Sequence, residues 1–169
     1  MKLSFNKLIA TGLSTVLAVV GFSIAQHEGE EFTGYLDPVG IQTTCYGHTE
    51  TAVVGKEYTE DECVVLLSKD INEHDKQMMS VITVDLSPGE HSAYLSFHYN
   101  VGAGNFKNST LLRYLNKNMR VEACNELSRW VYAKGRKLQG LVERREKERE
   151  MCLANVSGIA GNSNVQHSF

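Results

Sequence analysis

His27-Glu28-Gly29, followed by Tyr35-Leu36-Asp37-Pro38-Val39-Gly40-Ile41-Gln42-Thr43 and Gly47-His48-Thr49, is the stretch on which the reading of this chain turns. It sets Glu28, Asp37 and Thr43 nine and six residues apart, with glycines and a proline between them. Asp37-Pro38-Val39-Gly40 marks a turn, and Ile41-Gln42-Thr43-Thr44-Cys45-Tyr46 has the β-branched content of a strand. A small β-sheet over residues 33–50 follows, with Asp37 at its turn. Two neighbouring carboxylates are the equipment for hydrolysing a glycoside. One protonates the leaving oxygen, and the other stabilises or activates what attacks the anomeric carbon. Glu28 follows an apolar segment, which favours the protonated form an acid requires. Asp37 lies in a polar turn suited to the charged partner, and the Thr43 hydroxyl can hold a water against it. An ordinary acidic stretch and an ordinary Asp-Pro turn are the bland alternative.

Upstream of this stretch, Lys2 and Lys7 precede twenty residues, 8–27, that contain no Asp, Glu, Lys or Arg. Residues 8–25 are at the short end of what spans a bilayer. The basic residues before them keep that end in the cytoplasm. The large apolar residues favour insertion by about 3–5 kcal/mol, and Thr11, Gly12, Ser14, Thr15, Gly21 and Ser23 offset part of it. Three fates follow: a signal peptide cut after Ser23-Ile24-Ala25, a permanent anchor, or an anchor that leaves the membrane. Cutting after Ala25 would make Glu28 the third residue of the mature chain.

A chain of 169 residues suits one domain, or a domain of about 140 residues behind a membrane segment. The net charge of −3 lacks the basic excess of a nucleic-acid binder. Cys45, Cys63, Cys124 and Cys152 make an even set, and in an exported chain that means two disulfides with three possible connectivities. Order along the fold favours Cys45–Cys63 and Cys124–Cys152. No pair has zinc-finger spacing, so neither a metal nor any other cofactor is expected. Cys45 as a nucleophilic thiol is the weaker reading of that residue. Arg144-Arg145-Glu146-Lys147-Glu148-Arg149 alternates bases with acids and reads as a solvated helix face. A place for Arg144 or Arg145 beside an anionic glycan is the minority reading.

Thr59-Glu60-Asp61-Glu62 is a capping box opening a helix through Val64, Leu67, Ile71 and Met78 to about Val81. Ser87-Pro88-Gly89-Glu90 is a second box, and its helix buries Ala93, Leu95, Phe97 and Tyr94 before ending near residues 100–104. Further helices are expected over 110–115, 121–132 and 141–153, with a loose polar tail over 157–169. There is no internal repeat. The sum is a mainly helical α+β chain, with a small β-lobe in front and a helical lobe behind.

Over most of residues 28–153 this chain resembles the phage-type lysozymes. The likeness rests on Glu28, Tyr35, Asp37, Gly40, Thr43, Gly47 and His48, then on Ala93-Tyr94-Leu95-Ser96-Phe97-His98-Tyr99-Asn100-Val101-Gly102. Ser109-Thr110-Leu111-Leu112-Arg113, Arg129-Trp130-Val131-Tyr132-Ala133, Gly140-Leu141-Val142-Glu143-Arg144-Arg145 and Glu148-Arg149-Glu150 continue it. The weak anchor and the cysteine placement are similar to those of lambdoid phage signal-anchor-release endolysins.

The resemblance implies a phage-lysozyme-like fold of two lobes joined by a long helix. It implies an endolysin that hydrolyses the β-1,4 bond between N-acetylmuramic acid and N-acetylglucosamine in peptidoglycan and lyses the host. Glu28, Asp37 and Thr43 take the catalytic roles, with inversion, and His48 pairs structurally with Asp70. Residues 1–27 are then the signal-anchor-release segment, 28–156 the catalytic domain and 157–169 the tail. Peptidoglycan is the substrate, and residues 8–25 engage the host inner membrane until depolarisation frees a periplasmic monomer. No nucleic acid is involved. A lytic transglycosylase needs the Glu but not the Asp. A wall-binding or membrane protein with a lysozyme-like fold needs neither.

Overall fold

Both capping boxes form, and each starts a helix around which one part of the chain is organised. The computed structural model describes residues 3–28, 31–37 and 40–160, without the side chains of His27, Glu28, Asn155 and residues 157–160. The chain divides into two compact units between Lys76 and Gln77. The division falls inside α3 (Glu60–Met79), so that helix carries the chain from one unit to the other.

In the first unit the uncharged segment is not one helix but two, α1 (Phe5–Ala10) and α2 (Thr15–Glu28). Thr11-Gly12 makes the break: Gly12 adopts φ +88°, a left-handed conformation that ends a helix. Among the described residues no helix is long and apolar enough to cross a membrane. Leu8, Leu13, Leu17, Ala18, Val20 and Ile24 are buried instead within the unit, and fully burying a leucine is worth about 1.5–3 kcal/mol. Small residues make that docking possible. A Cβ at Gly21 would lie 2.6 Å from Ile71 Cδ1 of α3. The Thr11 hydroxyl lies 2.7 Å from the Leu8 carbonyl and 2.8 Å from the Ser68 hydroxyl of α3.

The expected sheet is present and begins slightly earlier, as β1 (Glu31–Leu36) antiparallel to β2 (Gln42–Cys45). Tyr35 faces Thr43 and Leu36 faces Gln42, while Glu31 faces Cys45 after a shift of register. Across that shift β1 turns to a third, irregular segment. Gly34 donates to the Lys56 carbonyl (2.9 Å), and Tyr58 donates to that of Phe32 (2.8 Å). The approach is so close that a Cβ at Gly34 would lie 2.0 Å from the Val53 carbonyl oxygen. Thr59 and Glu62 then cap α3 reciprocally, at 2.7 and 3.2 Å.

The second unit is built on α4 (Pro88–Val101), whose residues from Gly89 to Phe97 are nearly all buried, His98 included. Ser87 and Glu90 complete its capping box. Along α4 runs α8 (Gln139–Ala160), with α5 (Ala103–Lys107), α6 (Thr110–Leu115) and α7 (Arg120–Glu126) also in this unit. Two expectations are corrected here. The helix expected over 121–132 stops at Glu126, tightens into a 3-10 turn over Leu127–Arg129, and gives way to a hairpin. That hairpin pairs β3 (Tyr132–Ala133) with β4 (Arg136–Lys137). Its loop, Lys134-Gly135, has φ +49° and +74°, as a two-residue hairpin turn requires. In addition, α8 continues through residues 157–160, where a loose tail was expected. Extending an existing helix costs little compared with nucleating one. The rest of the tail, 161–169, lies outside the described residues.

Candidate active site

Three elements of the first unit carry the proposed catalytic residues. The last residue of α2 is Glu28, whose side chain lies outside the described residues. Asp37 follows β1 directly and is clamped to Ile41 from both directions. Its amide donates to the Ile41 carbonyl (2.9 Å), and its Oδ1 accepts from the Ile41 amide (2.8 Å). The Asp37 carbonyl also accepts from Gly40 (2.9 Å), where φ is +85° and a side chain would be strained. Thr43, only 7% exposed, donates its hydroxyl to the same Ile41 carbonyl at 3.2 Å. With Tyr35 opposite Thr43, strand alternation puts Tyr35, Asp37 and Thr43 on one face. Asp37 and Thr43 are thus brought together, and Ile41 is the residue that holds both. Sequence reasoning passed over Ile41 because its contribution is entirely main-chain.

His48 belongs to a tight turn in which its amide and carbonyl both pair with Thr44 at 2.9 Å. Its Nδ1 lies 2.8 Å from Asp70 Oδ2. Its Nε2 accepts the Thr51 amide at 3.1 Å and sits 2.8 Å from the Thr51 hydroxyl. A ring that accepts at Nε2 is left to donate from Nδ1, so both nitrogens are engaged. At 2% exposure it has no route to a substrate. Burial pushes the Asp70 carboxyl above its ordinary range, and the hydrogen bond from His48 pulls it back. His48 and Asp70 therefore pair as the resemblance implies, fastening the β-turn to α3.

Residues 25–148 match the phage lysozyme family. The chain belongs to it. It is similar to the SAR-endolysin of Bacteriophage PS119, with 48% identity over 127 residues, 75% of this chain and 76% of that protein. Among solved structures it is similar to the muramidase domain of SpmX from Asticaccaulis excentricus. That match has a TM-score of 0.74 and 26% identity, over 80% of this chain and 95% of the other. The active form of the P1 phage endolysin Lyz also matches with a TM-score of 0.74, over 88% of this chain and 90% of the other. At 23% identity that second likeness is one of fold alone. Membership makes this phage lysozyme a peptidoglycan-hydrolysing endolysin.

The lysozyme's cysteines pair as their order along the fold favours, Cys45 with Cys63 and Cys124 with Cys152. Cys45 is therefore a cross-link from the end of β2 to α3 and not a nucleophile. The Tyr94 hydroxyl lies 3.2 Å from the Cys152 sulfur and 3.6 Å from that of Cys124, inside the helical unit. Burial pushes the Tyr94 phenol up.

The basic run of α8 contradicts its expectation. Glu146 and Lys147 are exposed, but Arg144, Arg145 and Glu148 are 4%, 1% and 3% exposed, so one side of this stretch faces inward. Glu148 Oε1 accepts from the Ser96 hydroxyl (2.7 Å), Arg145 (3.0 Å) and Arg144 (3.3 Å). Arg144 also donates to the Ser96 carbonyl (3.2 Å), and the Arg145 guanidinium lies over the Phe97 ring at 5.0 Å. Burial raises the Glu148 carboxyl, against the pull of Arg145, Ser96 and Arg144. One sequence signal was available. Glu148 and Arg145 lie four and seven residues before Cys152, on its helical face, and a disulfide-bonded cysteine faces inward.

Proposed function

We propose that this endolysin is a muramidase, hydrolysing the β-1,4 bond between N-acetylmuramic acid and N-acetylglucosamine with Glu28, Asp37 and Thr43. The supporting observation is local: α2 ends on Glu28, and the hairpin that follows holds Asp37 and Thr43 together through Ile41. Glu28 donates its proton to the glycosidic oxygen, and the N-acetylglucosamine leaves as an alcohol. The Thr43 hydroxyl spends its hydrogen on the Ile41 carbonyl, which leaves its lone pairs to accept from a water. Asp37 takes that water's proton as the oxygen attacks the muramic anomeric carbon from the opposite face, which inverts it. Exchange with solvent then restores Glu28 as acid and Asp37 as base.

Residues 1–27 serve this chemistry twice. They first carry residues 28–156 across the host inner membrane and tether them in the periplasm, with residues 8–25 spanning. After release they fold as α1 and α2, the form described above, in which α2 supports Glu28. A tethered chain keeps Glu28 at the bilayer surface, with only Gln26 and His27 between it and Ala25, and is inactive. The freed enzyme acts as a monomer on peptidoglycan, and residues 157–169 take no part.

Mass spectrometry of muropeptides released from purified peptidoglycan tests the reaction, using wild type and Glu28→Gln. Hydrated reducing muramic ends from wild type alone are the expected result. Anhydro-muramic ends would reassign the chain to the lytic transglycosylases, and no fragments from a folded, soluble sample would leave only a binding role.

A further inference from the structure

The charged run of α8 has a second face. Val142, Arg145, Glu146 and Arg149 recur at i, i+3, i+4 and i+7, so they share one side of that helix. With Val131 and Lys137 they line an open groove of about 570 Å³ that lies wholly within the second unit. A groove of that size takes a small ligand or a few residues of peptide. Its walls are fixed by bonds of their own. The Leu138 amide donates to the Val131 carbonyl (3.0 Å) and closes the base of the β3–β4 hairpin next to Lys137. Arg149 Nε donates to Asn125 Oδ1 (2.7 Å), a bond that uses only one of the donors of its guanidinium. Arg145, 1% exposed, backs the groove and is already answered by Glu148, whose Oε2 lies 2.8 Å from its Nε. That leaves two cations, Lys137 and Arg149, with one acid, Glu146.

We propose that this groove binds the acidic stem peptide of peptidoglycan, with Arg149 and Lys137 on its carboxylates and Glu146 on the free ammonium of its diamino acid. A simple anion such as phosphate would meet the Glu146 carboxylate, and a purely cationic ligand would meet the two bases. A peptide that carries carboxylates and an ammonium together satisfies all three groups. Stem peptides of the diaminopimelate type have that chemistry, since their glutamate and diaminopimelate residues carry carboxylates and the diaminopimelate keeps one free amino group. The proposal rests on the muramidase reading for the source of this ligand, and adds to it the part of the substrate that the helical unit recognises. The stem is covalently tied to the muramic residue, so contacts that are weak with free peptide act on the polymer at a high effective concentration. The groove thereby favours wall that still carries its peptides over bare glycan.

The test titrates the full chain, in its soluble form, with the free tetrapeptide L-Ala-γ-D-Glu-meso-diaminopimelate-D-Ala and, separately, with inorganic phosphate, and reads binding by NMR. Wild type is expected to bind the peptide saturably and more tightly than phosphate. Arg149→Gln is expected to weaken the peptide about ten-fold. Lys137→Gln, at an exposed position of the hairpin where the fold is not at stake, is expected to weaken it up to about five-fold. Glu146→Gln is expected to weaken the peptide by a similar factor and to strengthen phosphate, because it leaves only cations facing the anion. A Glu146 with a merely structural role would move both probes in one direction or neither, and that result overturns the proposal. So does a wild type that shows no saturable binding of the peptide, or that holds phosphate as tightly. Each of these leaves the muramidase reading intact, because binding of free stem is independent of bond cleavage. Saturable peptide binding with no muropeptides released would overturn the muramidase reading and leave the groove assigned.

Discussion

The apolar segment at the start of the chain and the charged run near its end exchange the places their compositions suggest. Residues 8–25 look like a membrane helix and fold in water as two short helices on α3. Residues 144–149 look like a wet helix surface, yet Arg144, Arg145 and Glu148 are buried. The first unit thus fits its segment by small size, with Gly21 against Ile71, Gly34 against the Val53 carbonyl and Thr11 beside Ser68. The second unit is held by charge out of water: Glu148 with two arginines, and Glu90, 0% exposed, with Arg120 at 2.8 Å. Composition measures how much apolar or charged surface a segment has. It does not measure whether a partner of the right size or sign awaits it.

The largest effect expected from this contrast lies in the second unit. Glu148→Ala leaves two buried arginines without their acid and should cost about 3–5 kcal/mol in urea unfolding. A loss below about 1 kcal/mol would return the run to the surface. In the first unit the sharpest probe is Gly34→Ala, whose new methyl meets a backbone oxygen that cannot turn aside. It should cost about 3 kcal/mol, and a near-neutral result would break the claim that fit by size governs this unit.

Next in size is His48→Asn, which leaves Asp70 without its donor. We expect about 1–3 kcal/mol of lost stability with turnover on peptidoglycan retained. Normal stability with turnover abolished would make His48 a catalyst after all. The smallest effect concerns His74, whose imidazole burial pushes below its ordinary 6.5, with Asp70 and Glu73 opposing. Above that value both folded and unfolded chains are neutral at this site. Below it the unfolded chain takes up a proton that the folded chain resists, so stability falls as pH falls toward the lowered folded value. His74→Gln should remove this part of the acid loss, read as the difference between the two proteins at about pH 7.5 and about pH 5. An identical acid loss in both would exclude it.

Much of the fold was legible because its signals are short. Thr59 with Glu62 and Ser87 with Glu90 each close a hydrogen-bonded box within four residues, so their helices start where the sequence says. Asp37 and Gly40 close the hairpin turn in the same way, and Thr43 follows from the strand beyond it. In the candidate site the nearness of Asp37 and Thr43 was legible in the same way, since they meet within one hairpin. The 121–132 helix failed on a local signal that was overlooked, the Lys134-Gly135 turn.

What the sequence by itself determined is therefore local: the caps, the hairpin turn and the family to which these residues point. Tertiary structure alone decided which surfaces are buried. Glu148 became an interior group because Ser96, 52 residues earlier, lies 2.7 Å away on α4. His48 became a fastening because Asp70, 22 residues later, meets it from α3. The physical reason is common to these cases. A backbone hydrogen bond between near neighbours is specified by the few residues that make it. The cost of burying a charge, or the fit of a glycine, is set by atoms that only the folded chain brings near.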